Sequence, residues 1–162
     1  MKNLIELIKY ILHTYPKIEE LSKPRLVKII YLIDWKYTLD NEKQYTKIKW
    51  IYNHYGPYVN DVINVMKQNP NDFQMSSREN PYGGITDKFN LNKSSKINIE
   101  IDLKIKKTAD LIISKTVNFS WSRLISVVYS TYPVKNNLKY SVLDLEQLAK
   151  EYKKIKTTAN NA

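Results

Sequence analysis

The stretch from Ser22 to Asp34, Ser-Lys-Pro-Arg-Leu-Val-Lys-Ile-Ile-Tyr-Leu-Ile-Asp, constrains this chain more than any other. Leu26, Ile29, Ile30 and Ile33 recur at the spacing of one helical face, and Val27 widens it. Ser22 is placed to cap the helix, and Pro24 falls in its first turn, where a missing N–H costs nothing. The apolar run is interrupted by charge only at Arg25, Lys28 and Asp34, so the rest of the chain has to pack around it. That packing must rest on burial alone, because a chain of 162 residues without cysteine has no disulfide, no thiolate nucleophile and no cysteine-held zinc.

Other segments supply the covering elements. Leu4, Leu7, Ile8, Ile11 and Leu12 form one stripe of an earlier helix that stops at Tyr15-Pro16. After Asp40-Asn41 the chain turns, and residues 45–52 read equally well as strand or helix. Gly56-Pro57 predicts a helix start, with Val59, Val62, Ile63 and Met66 inward and an end before Pro70. The Asn-, Pro-, Ser- and Gly-rich stretch 69–95 predicts a loop or irregular hairpin with candidate strands at 72–75 and 87–91. Residues 97–103 alternate like a strand yet merge into helical spacing, and length favours a helix from about Asp102 to Val117. Ser120 is a candidate cap for a short helix carrying Trp121, Leu124, Ile125 and Val128. Ser141 is expected to open the last helix, with Asp144 at the capping-box position. The fold class expected is therefore mainly α: a compact single-domain helical bundle of about six helices with a small β-hairpin element, spanning residues 4–156, with a disordered tail at 157–162.

The net charge of +10 suits an acidic partner or phosphate. Among 26 basic residues only Arg25, Arg78 and Arg123 are arginine, whereas base readout favours the guanidinium fork, so nucleic-acid binding is expected to be at most weak and non-specific. No run approaches the roughly 20 apolar residues of a membrane span, and Glu6 and Lys9 break the N-terminal apolar run, which predicts a cytoplasmic protein without membrane contact. The two histidines, His13 and His54, lack a neighbouring nucleophile or ligand spacing, and the carboxylates do not cluster. Gly83-Gly84 has no P-loop context and reads as a turn. Accordingly no catalytic residue, metal or cofactor is expected.

What stands out is an aromatic concentration around one turn. Trp50, Tyr52, His54, Tyr55, Gly56, Pro57 and Tyr58, with Trp35 before them, exceed what a core of this size needs, and Tyr and Trp are favoured at protein interfaces. Core filling is the simpler reading of any one of them; a partner-binding patch is the sharper reading of the group.

Arg25-Leu26-Val27-Lys28-Ile29-Ile30-Tyr31-Leu32-Ile33-Asp34, followed by Tyr55-Gly56-Pro57-Tyr58-Val59, resembles the Panacea domain of SocA-like antitoxins, with its K-L-x-K-L-L-Y-L-x-D helix and later Y-G-P step. Leu26, Ile29, Ile30, Leu32 and Ile33 would be that motif's core positions. The resemblance implies a bacterial or phage antitoxin of a type II toxin–antitoxin pair that neutralises a cognate toxin protein by direct contact. One relative hands its toxin to a Clp-type protease. It extends over roughly Leu4 to Tyr152 but weakens at Tyr129-Ser130-Thr131-Tyr132-Pro133-Val134, which lacks the histidine and tryptophan many relatives carry there. The alternative is a nucleic-acid-binding or phage-associated regulator using the lysine-rich surface; a hydrolase centred on His54 ranks last.

Overall fold

Ser22 caps its helix as expected: its hydroxyl oxygen accepts from the Arg25 N–H, and the helix, α2, runs Lys23–Asn41. In the computed structural model, which describes residues 1–79, 81–92 and 98–160, every residue of α2 from Arg25 to Trp35 is buried. A helix covered on all sides is central by necessity. Against it pack α4 (Leu103–Thr116), α5 (Trp121–Ser130) and α7 (Leu145–Asn160), together with the short strand Gly56–Tyr58. The motif positions Leu26, Ile29, Ile30, Leu32 and Ile33 are all in this core. The mainly α expectation holds, with seven helices among the described residues, the additional one being the single turn α6 (Tyr132–Lys135).

Around that centre, α1 (Lys2–Thr14) packs on α3 (Asp61–Gln68) and on an antiparallel hairpin of β3 (Phe73–Glu79) and β4 (Ile85–Leu91). This hairpin lies where a loop or hairpin was expected, with both strands longer than predicted. α4 begins beside the predicted Asp102, whose carboxylate accepts from the N–H groups of Lys104 and Ile105. Residues 98–102 before it are irregular, and residue 97 lies outside the described residues.

Three expectations are corrected. Gly56-Pro57 does not open a helix: Gly56–Tyr58 is a strand, β2, paired with β1 (Ile51–Asn53), and the helix starts only at Asp61. Gly56 has φ +84°, and a Cβ there would come within 3.3 Å of the Val128 side chain, so the glycine closes a tight turn against α5. The undecided segment 45–52 is irregular until Trp50 and extended thereafter. Ser141 does not begin the last helix either; Asp144 caps it, accepting from the Gln147 N–H, while residues 140–143 lie alongside β1. Extended backbone satisfies the peptide groups of β1 that β2 leaves open. Finally, α7 continues to Asn160, past the Thr157 where a tail was expected; residues 161–162 lie outside those described.

Candidate functional site

The aromatic turn is held onto α2 by two buried polar side chains. The first is Asp34. Fully buried, its carboxylate accepts from the Thr46 N–H at 3.0 Å, the Thr46 hydroxyl, the Trp50 indole N–H at 2.9 Å and the Gln44 amide at 3.2 Å. These bonds fasten the irregular segment that leads into β1. Burial pushes the carboxyl up to about 6, against the downward pull of the four donors.

The second is Lys28, six residues before Asp34 on the same helix. Its side chain is 1% exposed, and its Nζ donates to the Pro57 carbonyl at 2.8 Å. The ammonium also lies 5.7 Å from the centre of the Tyr58 ring. Among the described residues no carboxylate pairs with it, and burial brings it down to about 8. A backbone carbonyl on a hairpin is thereby tied to the middle of the central helix.

Side-chain and backbone contacts to distant segments brace the hairpin from its other side. The Tyr52 N–H donates to the Ser141 carbonyl at 2.9 Å, and the Tyr140 N–H donates to the Tyr52 carbonyl at 2.6 Å. Tyr140 stacks edge-on against His54 with 5.7 Å between ring centres, its hydroxyl 3.2 Å from His54 Nε2. From α5, the Tyr129 hydroxyl donates to the His54 carbonyl.

Between the hairpin, the start of α2 and the start of α5 lies a groove of about 650 Å³. Pro24 and Lys28 line it from α2, and Trp121 and Ile125 from α5. Asn53, His54, Tyr55 and Tyr58 form the hairpin wall. The lining is mostly apolar and contains no carboxylate. Such a concavity, with a few polar groups converging in an apolar wall, suits recognition of a small ligand or a protruding segment of a larger one.

The aromatic group read from the sequence is thus divided. Trp50 is fully buried and Tyr52 is 8% exposed, so both serve the core and neither presents a surface. Trp50 meets Tyr31 edge-on at 5.4 Å, and Tyr52 meets Tyr129 at 6.1 Å. Trp35 is likewise buried, and the backbone of Gly56 and Pro57 is covered. Tyr55 is 78% exposed, His54 is exposed and Tyr58 half-exposed, and all three face the groove. Sequence reasoning missed Lys28 and Trp121 as members of this site. A lysine interrupting an otherwise apolar helix was the available signal for the first. For the second, it was an indole on the helix face flanking Leu124 and Val128.

Among the described residues no three histidine or acidic side chains gather as a metal-binding group. Among those residues, too, no helix is long and apolar enough to cross a membrane. A family model described as antitoxin SocA-like, Panacea domain, matches residues 26–133. No curated protein and no solved structure matches the chain.

Proposed function

The chain belongs to the SocA-like antitoxin family with a Panacea domain, and on that premise we propose that it neutralises a co-encoded protein toxin by binding it directly through the groove beside Gly56-Pro57. The observation that carries this reading is a coincidence of position. Every residue lining the groove except Pro24 falls inside the matched span. The hairpin wall, moreover, is fixed by buried bonds from Lys28 and Asp34, and a wall that is already ordered loses little entropy when a partner docks.

Co-expression with each flanking gene in a sensitive host tests it. The expected result is that one flanking product arrests growth, that this chain restores it, and that the two co-purify. A toxic neighbour that is neither rescued nor bound sinks the reading. Delivery of the bound toxin to a Clp-type protease would be a later step, read out as a toxin half-life that shortens with this chain present and recovers when the protease is deleted.

A further inference from the structure

The groove carries positive charge that no carboxylate in its lining balances among the described residues. The Lys28 ammonium is buried and gives one hydrogen bond to the Pro57 carbonyl, leaving two N–H groups with no acceptor among the described residues. Lys23 stands near it, its Nζ 6.0 Å from the same Tyr58 ring. Two helices, α2 and α5, start at the groove, so the partial positive charge of their first turns adds to these cations. A buried ammonium without a counter-charge is costly, and a carboxylate supplied from outside would offset that cost. The remaining walls, Trp121, Ile125 and Tyr55, offer apolar and aromatic surface of a size for one or two side chains, not for a domain.

Resting on the antitoxin reading, we propose that the groove seats a short acidic segment of the toxin. One carboxylate oxygen of that segment takes up the N–H groups of Lys28 not given to Pro57, and an adjacent apolar side chain lies between Trp121, Ile125 and Tyr55. The chain's net charge of +10 favours the approach of an acidic partner over a basic one. A basic or uncharged segment would leave Lys28 desolvated and unpaired, so the groove discriminates by charge as well as by shape.

The test uses the full-length chain and the flanking-gene product that it neutralises, with Kd measured by calorimetry at physiological salt. Lys28→Met should weaken the complex by about thirtyfold or more, as loss of one partner of a buried charged pair does. Trp121 is 42% exposed, so its replacement leaves the fold intact and gives a second, independent arm. Trp121→Glu should bind at least about tenfold worse than Trp121→Lys, because only the first opposes an acidic occupant. Substituting the toxin's acidic residues one at a time should find one whose loss is not additive with Lys28→Met.

If a folded Lys28→Met binds within about threefold of wild type, or if Trp121→Glu binds no worse than Trp121→Lys, the proposal is overturned while the antitoxin reading stands. If wild type binds no flanking product, both fall.

Discussion

Trp50 and Asp34 meet in the core, the indole N–H donating to a carboxylate oxygen at 2.9 Å, with both residues fully buried. The pair joins the first acidic residue of the central helix to the residue that leads into β1. Two side chains sixteen positions apart therefore fix where the hairpin sits. Asp34→Asn turns an acceptor into a donor facing the Trp50, Thr46 and Gln44 donors. We expect it to cost about 3 kcal/mol or more, since each buried donor left unpaired costs about 1–3 kcal/mol. Urea unfolding of the variant checks this, and amide exchange should show residues 44–52 losing protection first.

Lys28 predicts a pH effect in the alkaline range. Its folded-state value is lowered to about 8 from an ordinary 10.5, so between those values the unfolded chain holds the proton more often than the native one. The contribution of this lysine to stability must then rise with pH from about 8 to about 10.5, as the buried ammonium gives up its charge. His54 and Tyr58 face it from the hairpin and Lys23 from its own helix, and all of them remain in Lys28→Met. Thermal unfolding across that window should show wild type gaining on Lys28→Met with pH. Parallel curves would refute the assignment.

Gly56→Ala should destabilise by about 1–3 kcal/mol, because φ +84° is strained for alanine and the new methyl meets Val128 at 3.3 Å. In a chain of this size, about 1 kcal/mol lowers Tm by about 2–4 °C. A calorimetric scan that shows no fall would mean that the turn relaxes freely.

Surface and core aromatics should separate in one experiment. Tyr55→Ala and His54→Ala are expected to leave stability within about 0.5 kcal/mol of wild type and to weaken toxin binding by at least about 1 kcal/mol. Trp50→Ala should instead cost about 3–5 kcal/mol of stability. Stable Tyr55 and His54 variants with unchanged affinity would place the interface elsewhere.

Nucleic acid should bind weakly. Six or more phosphate contacts would make affinity fall about a thousandfold between 50 and 200 mM salt. Fluorescence anisotropy with random-sequence duplex and single strands should find no tight complex at physiological salt. Finding one would favour the regulator over the antitoxin.

How much of this was legible in the sequence depended on how local the cause was. The caps Ser22 and Ser120, the start of α4 near Asp102 and the apolar spacing of α1 and α2 act within a few residues, and each could be read directly. Gly56-Pro57 was misread because the same dipeptide suits a helix entry and a tight hairpin turn. What decides between them is a strand partner at residues 140–143, far along the chain. The same distance hid the burial of Trp50 and Tyr52, whose peptide groups bond to that segment. Lys28 was visible as an exception within an apolar helix, but its acceptor is a main-chain carbonyl, and no side-chain pattern reports one. In α5 the buried face runs through Leu124 and Val128, and that leaves Trp121 and Ile125 at the groove edge, a division the periodicity alone did not make.

The groove is assembled from the start of α2, the turn after β1 and the start of α5, with residues 140–143 behind the hairpin. No single segment of the chain contains a usable part of it. During synthesis, therefore, the surface cannot exist until α5 and the strip that follows it have left the ribosome and folded back, a late, long-range closure. Its loss should be equally abrupt: a protease cut or local opening anywhere in these three walls removes the whole recognition surface at once. Each molecule would then hold either the whole surface or none of it.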